Sequence, residues 1–527
     1  MQKMKHLFLL CSLSIVLVLA ACSGGNSSSS EAGDNAAGSS ENPASSRGNE
    51  LVIGVSSEPQ NWDPIDTFLL DWSTVATSVF EGLVDRNNDL EIQPGLAESW
   101  EYVDDKTLVF KLRQGVTFHN GEAFNADAVK YTFDRLLGEQ GQQGPQYSNY
   151  TSIESVEVND EYTVTFHLNT IDPVILTKLA SYGAVIVPPG YIEENGEEYF
   201  DTHPVGTGPF KMTGYERDQQ IVLEKNENYW KEGLPKLDKV TFKVIPEAST
   251  RLAELQTGSI DIMKRVEVSQ AETVKSTDYL ELMETGTPTV FALRFDTSIE
   301  PFDDVKVRQA FNYAIDRNAL IEEILGGYGI PIATFQSELS FGYNPDLEPY
   351  PYDPEKAKQL LQEAGVTEGT TVDVYIPGSD GNFKEITQAV AFYLEQVGIK
   401  LNINTVDVTT LNSDLIPNGN AGGMYRNGWG GWTLDFDNTA YQMYHSGEFW
   451  NPTFYDEEIE RLLEEQRNSV DQEEREAIFK QLTQRLYELA PEVNLYQAVD
   501  LYAVNKRVVD FNPPHDDRLR LEEVSVQ

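Results

Sequence analysis

The chain has 527 residues, 85 of them acidic and 39 basic, for a formal charge of −46 at pH 7. Such a surface repels nucleic acid and anionic lipid headgroups, so neither is expected as a partner. Of the two cysteines, Cys11 lies in an apolar leader, which excludes an internal disulfide and cysteine-based zinc or iron–sulfur sites from the mature chain.

At the start, Lys3 and Lys5 precede an apolar run from Leu7 to Leu19. The run falls short of the ~20 residues of a comfortable membrane span, so residues 1–21 read as a cleaved export signal. Its end, Leu19-Ala20-Ala21-Cys22, resembles a bacterial lipobox and makes Cys22 the expected lipidation site. Residues 22–49 are rich in Ser, Gly and Asn with almost no apolar side chains; they predict a flexible tether. Residues 50–527 are too many for one typical core and predict two or three domains.

Strands and capped helices alternate from residue 50 onward. LVIGV (51–55) reads as a buried strand, and KTLVFKL (106–112) sets Leu108, Phe110 and Leu112 on one face. EYTVTFHL (161–168) and KVTFKV (239–244) alternate in the same way. NADAVKYTFDRLLG predicts a helix opened by Asn125 and closed by Gly138, since a side-chain oxygen at the first position serves an otherwise unpaired amide. Residues 301–325 carry one helical stripe of Val307, Ala310, Phe311, Ala314 and Ile315. YDPEKAKQLLQEAG places Asp353 at a cap, Pro354 in the first turn and Gly365 past the end. The acidic segment 456–490 predicts two further amphipathic helices. The sum is a mixed α/β protein.

Catalytic chemistry is sparse. The six histidines do not pair at metal-ligand spacing and there is no HExxH, so no metal site and no cofactor are expected. No GxSxG, Walker-type loop or helix-opening GxGxxG occurs. GTGPF (206–210) is followed by no helix-start pattern and reads as a structural turn. Asp435 and Asp437 in GWGGWTLDFDN (428–438) form the best local pair for a glycan-active enzyme, but alternate residues seldom place carboxylates on opposite sides of one bond. The chain is expected not to be an enzyme.

Several segments together resemble the extracellular solute-binding proteins of peptide/nickel-type ABC importers, solute-binding family 5. The resemblance rests on residues 93–136, 204–230, 237–263, 301–329 and 352–365. It implies an α/β, two-lobed, periplasmic-binding-protein-like fold (type II, of the large cluster with an extra domain) that closes on a hinge. Lobe I is expected over 50–82, 205–290 and 495–527, the extra domain over 83–204, and lobe II over 291–494. The implied role is a monomeric, lipid-anchored receptor on the outer or periplasmic face of the cell membrane. It delivers solute to a permease and its ATPase subunits, with oligopeptides the first expectation and an oligosaccharide or a small anionic or chelated solute the alternatives.

In peptide-binding members the matching motif reads Gly-Trp-x-x-Asp, with the aspartate on the peptide ammonium. Here Gly428 and Trp429 match, while Trp432 stands at the aspartate position. The resemblance therefore assigns Trp429, Trp432 and Arg426 to the ligand, with Asp435 as a substitute acid able to swing in. Asp437 or Asn438 is read as the cap of the next segment. From the other side of the cleft come Phe68, Trp72 and Tyr182.

Overall fold

The structure is a computed structural model of the chain, described over residues 47–67 and 70–527. The export signal, the tether, Cys22 and Phe68 lie outside the described residues. One large mixed sheet runs through most of what is described. From one edge its strands are Ile399–Val406, Thr370–Pro377, Met424–Trp429, Leu280–Phe295, Glu492–Asn505, Ile262–Lys264, Glu50–Val55, Lys239–Val244, Gln220–Lys225 and Phe210–Glu216. A short strand, Gly329–Pro331, also pairs with Glu492–Asn505.

The two longest strands join the halves. Leu280–Gly286 pairs antiparallel with Val499–Asn505, and Val290–Arg294 pairs with Glu492–Gln497. Between these stretches the register shifts, so that Thr287, Pro288 and Thr289 face Ala498 alone. Proline has no amide to give a ladder and is tolerated at such a bulge. Thr287 Oγ1 donates to the Ala498 carbonyl at 3.3 Å and accepts from the Thr289 amide at 3.3 Å, replacing part of the lost ladder.

On one side of the bulge, Leu51, Ile53, Phe242, Ile262 and Tyr502 share an apolar core. On the other, Leu293, Phe311, Val374, Val390 and Leu495 share another. This is the two-lobed arrangement. A separate antiparallel sheet, Ala97–Asp104, Thr107–Leu112, Thr163–Leu168 and Ile153–Asp160, encloses its own core. Helix Ala126–Leu137 covers it with Val129, Phe133 and Leu136. Asn125 caps that helix by accepting from the Ala128 amide at 3.2 Å.

Two local readings are corrected. The stripe over 301–325 is broken into helices Val305–Tyr313 and Arg317–Ile324. Asp316 turns away from helical geometry to accept from the Ala319 amide at 3.0 Å and so opens the second helix. Further on, the cap of helix Phe436–Tyr444 is Asp435, which accepts from the Asp437 amide at 2.9 Å, rather than Asp437 or Asn438.

Asp435 also anchors the core of the second lobe. Both its oxygens accept from Arg475 at 2.8 Å, and both side chains are almost wholly shielded from solvent. Burial pushes the Asp435 carboxyl up against the opposing pull of Arg475. Removing one member of such a pair strands a charge, at a cost of about 3–5 kcal/mol. Arg475→Leu is expected to lose that much stability in denaturant unfolding, and Asp435→Asn with Arg475→Leu to lose clearly less than the sum of the two single changes. A loss under about 1 kcal/mol for Arg475→Leu would mean that the pair does not hold the lobe together.

Candidate functional site

Where the long strands cross from lobe to lobe, a cavity of about 410 Å³ opens. Its floor is the bulge itself, with Thr287, Pro288 and Thr289 on one strand and Ala498 and Val499 on the other. The first lobe contributes Arg265, Glu267, Asp500 and the turn Asp516–Arg518. The second contributes Phe291, Asp380, Trp432 and Tyr496, and Arg86 and Tyr182 come from residues flanking the small sheet.

The first-lobe wall is densely charged. Asp516 accepts from Arg520 Nη2 at 2.9 Å and Arg518 Nε at 3.0 Å. Burial works to push its carboxyl up, yet Arg518 and Arg520 outweigh it and hold the group well below the ordinary carboxylate range. Those arginines also staple backbone: Arg520 Nε donates to the Arg86 carbonyl at 2.9 Å and Arg518 to that of Ala180. His515 Nδ1 lies 2.7 Å from the Gly286 carbonyl, fastening this turn to the crossover. Lys264 is buried, donates to Thr74 Oγ1 at 2.6 Å and pairs with Asp517.

Two charged groups on this wall stand apart. Arg265 reaches Asp71 and Asp517 only at 3.7 and 3.8 Å, and its guanidinium makes no hydrogen bond among the described residues. Asp500, half-buried on the strand Glu492–Asn505, likewise has no side-chain hydrogen bond and no ion pair within 4.0 Å among the described residues. Burial and the neighbouring Asp517 raise its pKa, with Arg265 and Lys264 opposing.

On the opposite wall, Arg426 sits just behind the lining. Its guanidinium lies 4.9 Å from the Phe291 ring and 3.5 Å from Asp380 Oδ2. Burial pulls its pKa below the usual guanidinium value, with Asp380 opposing. Gly428 makes this stack possible, because a Cβ there would lie 2.8 Å from both the Arg426 guanidinium and the Phe291 ring. The chain then leaves the strand through a turn closed by the Leu434 amide on the Gly431 carbonyl at 2.8 Å, with Gly431 at φ +27°.

That turn delivers Trp432 to the cleft. Its ring centroid stands 6.5 Å from that of Tyr182 across the gap between the lobes. Buried Arg86 secures the approach, its guanidinium donating to the carbonyls of Trp432, Thr433 and Thr177. Burial, then Arg518, lower the Arg86 pKa to about 10, so it stays charged at neutral pH.

The remaining expected residues lie elsewhere. Trp429 points to the other face of its strand and packs edge-on against Trp450, with centroids 6.1 Å apart. Trp72 is in the first-lobe core, donating its Nε1–H to the Trp62 carbonyl at 3.2 Å and stacking on Phe80. Asp435 is held by Arg475 as described, and Asp437 by Gln466 and by Arg467 at 2.7 and 3.0 Å. Asp500, Arg265 and Arg86 escaped the sequence reading because nothing local marks them. The one available hint was LYQAVDLYAVN (495–505), where a charged residue interrupts a largely apolar run. Among the described residues no group of three His, Cys, Asp or Glu side chains is placed to hold a metal ion, and no helix is long and apolar enough to cross a membrane.

A two-lobed α/β fold with a cleft at the strands that cross between lobes defines a solute-binding protein. The profile of bacterial extracellular solute-binding proteins, family 5 Middle, matches residues 91–451. Heme-binding protein A of Haemophilus influenzae is 31% identical over 94% of this chain and 94% of its own length. The glutathione-binding protein GsiB of Pectobacterium atrosepticum is 29% identical over 90% of this chain and 94% of its own. Among solved structures, the periplasmic binding protein DppA from Helicobacter pylori in complex with peptide STSA superposes with a TM-score of 0.75 at 25% identity, covering 91% of this chain and 98% of that one. The chain belongs to the family 5 extracellular solute-binding proteins, the substrate-binding receptors of ABC importers.

Asp516 offers a test of the charged wall. Its depressed pKa means that its contribution is present above the unfolded value of ~3.9 and is lost as pH falls toward the lower folded value. Asp516→Asn should therefore cost about 3 kcal/mol at pH 7 and progressively less below about pH 4 in denaturant unfolding. An equal loss at pH 7 and pH 3 would remove Asp516 from the role of counter-ion to the two arginines.

Proposed function

We propose that the chain is the lipid-anchored receptor of an importer for short peptides and peptide-like zwitterions, held at the membrane through Cys22 and acting as a non-enzymatic monomer. The reading takes lobe I as residues 50–82, 205–290 and 495–527, the extra domain as 83–204 and lobe II as 291–494, with Leu495 and Tyr496 at the join packing into the second core. Ligand that touches both lobes stabilises the closed arrangement, and the permease reads closure as occupancy. A tether to the membrane raises the effective concentration of receptor at its partner.

One observation carries the ligand class. In a cleft whose other charges are largely paired, Asp500 and Arg265 are a carboxylate and a guanidinium without hydrogen-bond partners among the described residues. Asp500 has no ion-pair partner within 4.0 Å among the described residues and Arg265 meets its carboxylates only at 3.7 and 3.8 Å, so a ligand ammonium on Asp500 and a ligand carboxylate on Arg265 would give each a direct charge-assisted hydrogen bond. Asp500 then does the work for which the peptide-binding motif has an aspartate at the position of Trp432. The cavity of about 410 Å³ lies in the ordinary range for small-molecule sites, roughly 300–1,000 Å³. The solute of the DppA complex is a peptide and that of GsiB is glutathione, which agrees with this chemistry. The alternative carboxylate pair, Asp435 and Asp437, is occupied by Arg475 and Arg467, which weighs against a glycan-active enzyme.

Native mass spectrometry of the purified protein, followed by thermal shift with peptides, glutathione, haem and oligosaccharides, tests the class. A ligand at one hundred times its dissociation constant stabilises by about 2.7 kcal/mol. Asp500→Asn should weaken a free-amine peptide by about 10–100-fold and leave its N-acetylated counterpart unchanged. Because the raised pKa of Asp500 removes its charge earlier on acidification, affinity for the free-amine peptide should fall as pH drops from neutral, with the acetylated peptide less affected. Equal responses of the two peptides would sink the assignment.

A further inference from the structure

Beside the charged cleft lies a second cavity, of about 540 Å³, between the segment 148–178 and the second lobe. Its charged side chains already have partners: Asp172 with Lys178 at 2.7 Å, Asp437 with Arg467, and Glu464, which accepts from the Tyr441 hydroxyl at 3.0 Å and lies 3.0 Å from His445 Nε2. The rest of the lining is mainly neutral amide and hydroxyl, including Asn149, Thr151, Asn169, Gln442 and Asn468. Asn438 Oδ1, also on this lining, is buried and has no hydrogen-bond partner among the described residues.

Trp432 lines both cavities. Its neighbours divide between them, Leu434 facing the charged cleft and Thr433 the neutral compartment. The Arg86 guanidinium, bound to the carbonyls of Trp432 and Thr433, holds the divider from the segment that flanks the small sheet. The charged compartment suits both ends of a short zwitterion, and of a longer peptide it keeps the ammonium on Asp500 while the chain runs on past Trp432. The neutral one suits uncharged peptide linkages, whose N–H and C=O groups match amides and hydroxyls without needing a counter-ion.

We infer that Trp432 is the residue that sets ligand length, its indole closing the charged cleft against a neutral compartment able to accept further peptide units. The inference rests on the peptide reading above and adds a size limit to it. Shrinking the side chain opens a passage, and the longer ligand gains hydrogen bonds to the amides and hydroxyls that line the second compartment.

The test presents mature full-length protein with an equimolar pool of alanine–serine peptides of graded length and reads the retained lengths by native mass spectrometry. Trp432→Phe, Trp432→Leu and Trp432→Ala should shift retention toward longer peptides in that order, as the side chain shrinks. The ratio of longest to shortest should rise about tenfold for Trp432→Ala, a difference of ~1.4 kcal/mol. If Trp432→Ala does not fold, the order of wild type, Trp432→Phe and Trp432→Leu carries the same comparison. A wild type that retains short peptides, with variants whose length distribution is unchanged or unrelated to side-chain volume, overturns the length assignment alone. Loss of every length in the folded variants overturns it too, making the indole a ligand contact instead of a divider. A wild type that retains no peptide of any length overturns the peptide reading, and the length assignment falls with it.

Discussion

Everything in this molecule hangs on one ladder. Strands Leu280–Phe295 and Glu492–Asn505 belong to both lobes at once, so the cores on either side are joined by continuous backbone. A continuous antiparallel ladder resists bending, and this one is interrupted where the cores part, at Gly286–Val290. The interruption does two things with the same residues. It removes ladder hydrogen bonds where the lobes must move, and it pushes Thr287, Pro288 and Thr289 into the cleft as its floor. A ligand on that floor is in contact with the element whose bending it would report.

The cleft is charged because the segments that line it are the ones that leave the sheet there. Arg265 comes immediately after strand Ile262–Lys264, at φ +58°, and Asp517 lies in the closing turn at φ +62°. Both are non-glycine residues in the left-handed region, where backbone strain is ordinarily avoided and tends to be kept at functional sites. The strain is held by the network around it: His515 on Gly286, Lys264 with Asp517, and Arg518 and Arg520 on Asp516 and on neighbouring carbonyls.

Much of the local structure was legible because it is written locally. Asn125 and Asp353 are caps whose partners stand three residues on, and Leu108, Phe110 and Leu112 alternate on a strand buried on one face. The resemblance to family 5 supplied the two lobes. What escaped was set at long range. Asp500 faces the cleft only because its strand crosses between lobes, and Arg86 is significant only because Thr433, far along the chain, presents a carbonyl to it. In GWGGWTLDFDN the pattern of residue types marked the right stretch but not the job of each member. Alternation on the strand turned Trp429 toward Trp450 while Arg426 took the Phe291 face. Asp435, spaced as if to act with Asp437, was taken by Arg475 from a helix forty residues further on.

The charge balance has a further consequence. Arg86, Arg251, Arg294, Arg308, Arg317 and Arg475 are all buried, joining carbonyls or internal carboxylates. Buried carboxylates such as Asp63, Asp261, Asp435, Asp437 and Glu492 offset most of that internal positive charge, so the exterior carries nearly the whole acidic excess of the composition. Such a field draws cations toward the surface and repels anions, over a reach of about 8 Å at physiological salt. A wholly anionic solute would have to cross it to reach Arg265. A solute with a free ammonium is drawn in by that same field, and a zwitterion is neutral to it until orientation matters at the mouth. On the proposed peptide reading, that acidic field favours entry with the ammonium leading, which is the end the reading assigns to Asp500 on the crossing strand.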